Sequence, residues 1–351
     1  MNPLQTFIKQ LKPTCHRKKP NPNQPVSSWS EQDRFYEDIV DAFVLILRNR
    51  GCSWMFQSGC SMCGYFNDSM LSKVTPDELI NQYQQAMTRY NNEPIVKIFT
   101  SGSFLDTNEV PQKVQEYILS DLSKKTKKIA VESRPEYVTR ESMKLVKQQL
   151  KNTEFDIGIG LETSQDFIRD FAVNKGFTFE EYHTAVTLVH NNDFSVKTYI
   201  LIKPPFLTEK ESIQDVKQTI DHVLPNAAAN DILSFNPTSV QKNTLVEYLW
   251  RRNQYRPPWL WSIIDILNYA SDQNKKIRLQ CDITGGGKKR GAHNCYTCDD
   301  DMLSAIKEFS LTQDSTVFNS LDCDCDCKQQ WMDQLNLEST SFGSLPDVMN
   351  P

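Results

Sequence analysis

The sequence lacks an apolar run long enough to cross a membrane. Its longest run, DAFVLIL over residues 41–47, is far shorter than the ~20 residues that a spanning helix needs. The opening stretch MNPLQTFIKQLKPTCHRKKP also lacks the apolar core of a secretory signal peptide. These two absences predict a cytoplasmic protein that does not associate with membranes.

The sequence also lacks a surplus of positive charge. It has 39 lysines and arginines against 44 aspartates and glutamates, a formal net charge of −5. A chain that binds nucleic acid alone usually carries a basic excess. Basic residues do cluster over 9–19 and 275–290, although such clusters are also ordinary solvated surface. Any contact with nucleic acid is therefore expected to rest on local patches or on a partner protein.

Repeats and low-complexity tracts are absent as well, and the 351 residues suffice for one large domain and a smaller one. What the chain does have is ten cysteines. In the reducing cytoplasm thiols rarely form disulfides. The cysteines therefore favour metal ligation or catalysis.

Short apolar strands alternate with helices along most of the chain. The predicted strands cover 41–47, 95–100, 128–133, 155–162, 194–202 and 231–237. Helices after them begin at capping boxes at Thr75, Thr178 and Thr208. Strand–helix alternation indicates a parallel sheet with right-handed crossovers. Six units are too few for an eight-stranded barrel, so the predicted fold is α/β, a partial (β/α)6 open TIM-type barrel.

Four segments are expected along the chain. They are a flexible N-terminal segment at 1–30, the barrel core at 31–275, a cysteine-rich C-terminal module at 276–335 and a flexible tail at 336–351.

The stretch GCSWMFQSGCSMCGYFND at 51–68 follows the first predicted strand and holds Cys52, Cys60 and Cys63 in a C-x7-C-x2-C pattern. Ligands bind at the carboxyl ends of strands in such sheets. Thiolates suit zinc and iron–sulfur clusters, but a structural zinc needs four protein ligands. A 4Fe–4S cluster with three cysteine ligands leaves one iron open to bind S-adenosylmethionine (SAM). The pattern therefore predicts a radical SAM protein, with a wider first gap than the commonest C-x3-C-x2-C.

Polar residues at the next strand ends are candidates for holding SAM. Gly102 and Ser103 follow the second strand, Glu132 and Arg134 the third, and Glu162 the fourth. Glycine lets the backbone approach a ligand closely, and an arginine can pair with the SAM carboxylate. Glu162 is expected to accept hydrogen bonds from the ribose. Within the cysteine loop, Met62 and Tyr65 are expected to pack on the cluster or the adenine.

The other cysteines, apart from Cys15, lie towards the C-terminus. We predict a zinc ion bound by Cys295, Cys298, Cys323 and Cys325, with His293 beside them. A second iron–sulfur cluster and free thiols remain alternatives. The neighbouring basic residues at 288–290 would reach RNA phosphates, which carry no sequence information.

Several longer segments resemble the radical SAM family that forms archaeosine in transfer RNA, known as RaSEA. They are GCSWMFQSGCSMCGY, ESRPEYVT, GIGLETSQDFIRDFAVNKGFT, YILIKPPFLTEKES and the C-terminal GAHNCYTCDDDMLSAIKEFSLTQDSTVFNSLDCDCDCKQQW. The resemblance covers roughly residues 30–335. The catalytic subunit of elongator, also a radical SAM protein, has a similar GLETS/NKGFT register.

The resemblance implies a reaction on a modified base. In that family a transglycosylase-like lysyl transferase first attaches lysine to 7-cyano-7-deazaguanine in tRNA. The radical SAM enzyme, supplied by an external electron donor, then cleaves a carbon–nitrogen bond and leaves the formamidine of archaeosine. By their positions near strand ends, Asp106, Lys203 and Asn236 are candidates for binding the lysyl group.

Two other functions stay open from the sequence. One is a different RNA-modifying radical SAM activity, a methylthiolase or an elongator-like acylation. The other is a zinc-bearing RNA-binding adaptor without catalysis. The adaptor predicts zinc at both cysteine sets, whereas a 4Fe–4S cluster absorbs broadly near 400 nm.

Overall fold

The structure is a computed structural model that describes residues 3–14, 20–273, 277–321 and 324–338. Within these residues the strands are β1 (Ser27–Phe35), β2 (Asp38–Ile46), β3 (Ile95–Phe99), β4 (Lys128–Glu132), β5 (Glu154–Glu162), β6 (Ser195–Ile202), β7 (Ile232–Pro237) and β8 (Arg278–Cys281). The helices are α1 (Pro3–Leu11), α2 (Ser53–Gln57), α3 (Pro76–Met87), α4 (Gln112–Leu122), α5 (Arg140–Gln149), α6 (Asp166–Ile168), α7 (Phe179–His190), α8 (Glu209–Val223), α9 (Leu245–Trp250), α10 (Leu260–Gln273), α11 (Asp299–Thr312) and α12 (Cys327–Glu338).

The chain forms two compact units. The first comprises Met1–Gly160 with Phe177–Lys197, and the second comprises Leu161–Gly176 with Thr198–Pro351. The predicted segments with boundaries at 30, 275 and 335 follow a different division and remain a prediction. Residues 339–351 of the predicted tail lie outside the described residues.

The sheet of the first unit explains where its functional residues meet. Strands β2, β3, β4 and β5 are parallel neighbours in chain order, in a register that pairs Ala42 with Ile95 and Lys128 with Glu154. The central residues of β2 are fully buried, as expected of a parallel strand covered on both faces. Because parallel strands end at the same edge, the loops after β2, β3 and β4 lie together.

The helix starts follow from local hydrogen bonding. The side chains of Thr75, Thr178 and Thr208 each accept a hydrogen bond from the backbone N–H three residues later, and the glutamate there accepts one from the threonine backbone N–H. This capping box satisfies two backbone donors that the helix leaves unpaired. All three predicted helix starts are confirmed.

Strand β1 was not predicted, because its sequence SSWSEQDRF has the composition of a polar loop. It pairs antiparallel with β2 over its whole length. The nearly buried ammonium of Lys97 on β3 forms ion pairs with Asp33 at 2.6 Å and Glu31 at 2.8 Å. A buried cation is costly unless it is paired. The ion pairs with Lys97 therefore favour the position of the polar strand β1 beside β2.

The segment 1–30, predicted to be flexible, contains α1 and the start of β1. Ile8 of α1 is 1% exposed. Beyond the helix, the Lys12 ammonium lies 4.9 Å from the centre of the Phe66 ring and donates a 3.4 Å hydrogen bond to the carbonyl of Cys60. The beginning of the chain thus packs against the cysteine loop.

The second unit contains the parallel pair β7 and β8, in which Ile232 pairs with Arg278. Strand β8 was also not predicted. Helix α11 contacts it, and Ser310 accepts a 3.0 Å hydrogen bond from the backbone N–H of Cys281. Helix α12 contacts α8, where Glu338 accepts a 2.9 Å bond from the N–H of Lys210.

Among the described residues, none of the helices has the length and apolar character needed to cross a bilayer.

Candidate functional site

The three predicted cluster cysteines lie in the loop that follows β2. Cys52 directly precedes α2, and Cys60 and Cys63 follow that helix; all three cysteines are half-buried. Gly59 adopts a φ of +87°, and a β-carbon there would lie 2.0 Å from the Lys12 ammonium. The turn between the first two cysteines therefore requires glycine.

The loop after β3 holds the cysteine loop in place. The buried Glu109 carboxylate accepts hydrogen bonds from the backbone N–H of Ser53 at 2.7 Å and of Ser103 at 2.6 Å. The Ser53 hydroxyl donates a 2.5 Å bond to Asp106. Glu109 was not identified from the sequence, because a lone glutamate in a loop carries no pattern. Asp106, a predicted substrate contact, is tied to the residue next to Cys52.

Glu109 also explains why position 102 is glycine. A β-carbon on Gly102 would lie 1.9 Å from a Glu109 carboxylate oxygen. Burial raises the pKa of Glu109 to about 7, although the two N–H donors lower it. The glycine that the sequence predicts for SAM thus also makes room for a buried carboxyl group.

Arg134 follows β4, and its side chain is held on several sides. Its guanidinium lies 5.3 Å from the ring centre of Trp54 and 5.4 Å from that of Phe177. It forms a 2.5 Å ion pair with Glu136. Its backbone N–H donates a 3.1 Å bond to the hydroxyl of Ser103, which joins the loops after β3 and β4.

The charge of Arg134 acts on the cysteine sulfurs. Burial opposes its charge, but Glu136, Cys52 and Cys60 outweigh burial and raise the pKa of Arg134. For Cys52, burial and Glu109 raise the pKa to about 12, while Arg134 lowers it. Three soft thiols in one loop, with a buried cation close to two of them, fit an iron–sulfur cluster that carries negative charge.

The remaining predicted SAM residues of the first unit lie around the same loops. Met62 is half-buried and Tyr65 is 55% exposed. The backbone carbonyl of Tyr65 accepts a 3.1 Å bond from Ser101. Glu132 ends β4, and its carbonyl accepts a 2.8 Å bond from the N–H of Phe104. The structure thus brings Met62, Tyr65 and Glu132 to the edge where the cysteines lie.

A second group of cysteines meets in the second unit. Neighbouring sulfurs of Cys295, Cys298, Cys327 and Cys325 lie 3.7, 3.5, 3.3 and 3.6 Å apart around the group, and all four lie within 4.8 Å of one another. A tetrahedral zinc with Zn–S bonds of ~2.3 Å separates its sulfurs by about 3.8 Å. The four thiols therefore fit one zinc ion, whereas a cubane cluster spreads its cysteine sulfurs more widely.

Three of the four predicted zinc ligands, Cys295, Cys298 and Cys325, belong to this group. Cys327, the first residue of α12, occupies the fourth position, and Cys323 lies outside the described residues. His293 does not belong to the group; its ring Nδ1 is 2.7 Å from the carbonyl oxygen of Gly291. The spacing C-x-C-x-C offers alternative pairs, and among the described residues Cys325 and Cys327 join Cys295 and Cys298.

Hydrogen bonds from neighbouring side chains orient the sulfurs. The Trp261 indole donates a 3.2 Å bond to Cys327, and the Asn294 amide donates a 3.7 Å bond to Cys298. Donors of this kind fix ligand geometry and tune a bound metal. Burial opposes ionisation of Cys295, yet hydrogen bonds, first among them from the Cys298 backbone, lower its pKa to about 6.

No family model matches the chain. Its sequence is 39% identical over 331 residues to archaeosine synthase subunit beta of Methanosarcina acetivorans, covering 93% of this chain and 94% of the relative. It is 35% identical over 310 residues to archaeosine synthase subunit beta of Thermococcus kodakarensis, covering 86% and 94%. The chain belongs to this archaeosine-forming radical SAM family.

A solved structure has a fold similar to that of this chain. Archaeal Elp3 from Methanocaldococcus infernus, with residues 1–46 deleted, matches with a TM-score of 0.50 and 14% identity over 81% of this chain and 64% of that chain. At that identity the likeness concerns the fold alone. The predicted partial open TIM-type barrel is confirmed.

Two residues of the family segments have unusual backbones in the second unit. Glu162 ends β5 with a φ of +69°, and Lys203 follows β6 with a φ of +63°. Glu162 accepts a 2.5 Å bond from Lys175, while Lys203 forms a 2.5 Å ion pair with Glu209. Left-handed backbones cost non-glycine residues ~1–3 kcal/mol and concentrate at functional sites. Lys175 was overlooked although it lies in the quoted NKGFT segment.

Asn236, the third candidate for binding the lysyl group, lies on β7 and is half-buried. Of the predicted substrate residues, Asp106 belongs to the first unit, and Lys203 and Asn236 belong to the second.

Proposed function

We propose that this chain is the radical SAM subunit of an archaeosine synthase. It would cleave a carbon–nitrogen bond of a lysine-modified 7-cyano-7-deazaguanine base in tRNA and leave the formamidine of archaeosine. The carrying observation is that Cys52, Cys60 and Cys63 share the loop after β2, which Glu109 ties to the loop after β3, in a chain whose relatives are named archaeosine synthase subunit beta.

The cysteine loop would hold the iron–sulfur cluster. Cys52, Cys60 and Cys63 are the ligands, and the charge of Arg134 lowers the pKa of Cys52. Glu109 keeps the loop in shape through its bonds to the backbone. When bound, the cluster and SAM supply a radical that can remove hydrogen from an unactivated carbon, chemistry that side chains alone do not perform.

The loops around the cysteines would bind and orient SAM. Gly102 and Ser103 present backbone at the end of β3, and Arg134 is the partner for the SAM carboxylate. The rings of Trp54 and Phe177 hold the guanidinium in place. The roles of Glu132 and of Glu162, the latter towards the ribose, stay predictions.

We further propose one zinc ion on Cys295, Cys298, Cys325 and Cys327, on the strength of the sulfur distances. A methylthiolase would need a second cluster at these residues, which the distances do not favour. The relatives are named as a beta subunit, which supports a partner subunit; we propose that this partner transfers the lysine. An external electron donor and a cytoplasmic location complete the proposal.

The decisive experiment is anaerobic incubation of reconstituted protein with SAM, dithionite and RNA that carries the lysyl adduct. We expect 5′-deoxyadenosine and the archaeosine base to form together. Cys60→Ala should lose both products and the absorbance near 400 nm, while the matched Cys281→Ala, a buried cysteine outside both groups, should keep all three.

Two results would contradict the proposal. Formation of 5′-deoxyadenosine with an unchanged base would point to another substrate. Zinc at both cysteine sets, with no absorbance near 400 nm, would favour the adaptor without catalysis.

A further inference from the structure

A cleft of about 780 Å³ lies within the second unit. One wall follows β6 and includes Lys203 and Phe206, and a second is the segment 251–257 between α9 and α10. The third comes from the cysteine-bearing loop, with Lys289 and Tyr296. A cleft lined by three segments is the ordinary form of a ligand site.

The charge of the cleft is positive where a ligand can reach it. Among the described lining residues, the two carboxylates are engaged: Glu209 pairs with Lys203, and Glu338 accepts from the backbone of Lys210. Three more cations line the cleft: Arg251, Arg256 and Lys289. Both lining carboxylates already have other partners.

These three cations differ in how they are held. The Arg251 side chain is 63% exposed and shares a 3.0 Å ion pair with Glu247. Arg256 donates hydrogen bonds to the backbone carbonyls of Pro257 and His293. Lys289 is exposed and lies 5.7 Å from the ring centre of Trp250. In the described part of the chain neither Arg256 nor Lys289 forms an ion pair, so both charges remain for an anion.

Exposed aromatic rings line the same cleft. Phe206 is 52% exposed and Tyr296 is 55% exposed. Both adopt left-handed backbones, with φ of +74° and +68°, which is a rare conformation for a bulky residue. The Tyr296 ring stacks on that of His293, with centres 5.0 Å apart and planes 7° from parallel. The open face of such a stacked pair is a platform for another flat ring.

We propose that this cleft binds a nucleotide of an unpaired RNA segment. The phosphate would lie against Arg251, Arg256 and Lys289, and the base would stack on Tyr296. Proteins bind single-stranded RNA by this combination of cations and aromatic platforms. The choice of RNA over another aromatic anion rests on the proposed function.

A small local contact with RNA is compatible with the negative net charge of the chain. Three cations suffice for one or two phosphates, and the net charge of −5 opposes an extended electrostatic surface. The cleft therefore contributes a local contact of modest affinity, and a partner protein can supply the rest of the RNA-binding surface.

The test measures binding of a fluorescein-labelled, unstructured RNA decamer by anisotropy, without SAM or reductant. Protein with its metals is titrated at several salt concentrations. Lys289→Gln and Arg251→Gln should each weaken binding roughly threefold or more and lower the slope of log K against log salt by about 0.7. Tyr296→Leu should weaken binding roughly fivefold or more and leave the slope unchanged.

Matched controls are Lys307→Gln, an exposed lysine on α11 outside the cleft, and Tyr117→Leu, an exposed tyrosine on α4. Zinc content and thermal unfolding confirm that each variant is folded. If Tyr296→Leu loses its zinc, RNA binding by Lys289→Gln and Arg251→Gln alone tests the proposal.

Binding that falls no further in the cleft variants than in the controls would overturn the inference. The inference would also be overturned if inorganic polyphosphate bound as tightly as the RNA decamer and Tyr296→Leu did not weaken its binding. The cleft would then bind an anion without recognising a base. The binding assay needs no turnover. Wild-type protein that binds through the cleft but forms no archaeosine would refute the proposed function and leave this inference intact.

Discussion

The Glu109 carboxylate accepts a 2.7 Å hydrogen bond from the backbone N–H of Ser53, the residue after a predicted cluster ligand. Together with the bond from Ser103, it fastens the cysteine loop to the loop after β3. The shape of the cysteine loop is therefore held by protein contacts as well as by any cluster that binds.

Replacing Glu109 by alanine should impair cluster loading. Glu109→Ala leaves the buried N–H of Ser103 and the half-buried N–H of Ser53 without their acceptor, and an unsatisfied buried donor costs ~1–3 kcal/mol. We expect a lower melting temperature and less iron and sulfide per chain after anaerobic reconstitution. Glu109→Gln keeps one acceptor oxygen and should fall between alanine and wild type. Glu308→Ala, at an exposed glutamate of α11, is the control; unchanged iron in Glu109→Ala would refute the role.

The fourth ligand of the C-terminal metal site can be identified by single substitutions. Because the Cys327 sulfur lies 3.5 Å from that of Cys298, Cys327→Ser should reduce zinc from about one per chain to nearly none. Cys281→Ser should keep the zinc. Metal analysis of the purified proteins measures both. Loss of zinc in Cys323→Ser but not in Cys327→Ser would restore the ligand set predicted from the sequence.

Asp215 should make stability depend on pH. Burial raises its pKa from 3.8 to about 7, although the 2.6 Å bond from Thr163 and the charge of Arg169 lower it. The folded state therefore keeps this proton to higher pH than the unfolded state does. Stability from this group is present below pH 4 and declines between about pH 4 and 7, by up to ~1.4 kcal/mol per pH unit.

Comparison with Asp215→Asn isolates that contribution, because asparagine still accepts the Thr163 hydroxyl and carries no titrating proton. Urea unfolding of both proteins between pH 4 and 8 gives the difference. We expect the variant to gain stability relative to wild type as the pH rises. Parallel pH profiles would show that Asp215 is ionised in the folded protein throughout.

Removal of zinc should weaken RNA binding. Tyr296 lies between Cys295 and Cys298, and its backbone N–H donates a 3.1 Å bond to Asp299. Without the metal this loop loses the constraint on both sides of the tyrosine. Chelated protein should bind the RNA decamer more weakly, and added zinc should restore binding. Chelation should not weaken RNA binding by Tyr296→Leu any further. If chelation lowered the RNA affinity of wild type and of Tyr296→Leu equally, its effect would not act through Tyr296.

The barrel strands and the helix starts could be predicted because their signals are local. The apolar run in β2 and the threonine caps at Thr75, Thr178 and Thr208 are readable over a few residues. Strand β1 could not be predicted, since its place depends on the distant Lys97, which pairs with Asp33 and Glu31.

Some residues of the candidate site could likewise be predicted from local sequence, and others could not. The cysteine spacing predicts a cluster site in the loop after β2, and the strand ends predict Arg134. Glu109 acts through a contact between two loops, which no spacing encodes. The choice of Cys327 depends on where α12 begins, and boundaries of elements are the part of a fold least determined by local sequence.

Helix α1 has a consequence for the lifetime of the protein in air. It packs beside the cysteine loop, with the Lys12 ammonium next to Gly59 and above the ring of Phe66. The protein shell around a cluster controls what can diffuse to it. Deleting α1 and Lys12 is therefore expected to uncover one side of the cysteine loop and to speed the loss of a bound cluster in air.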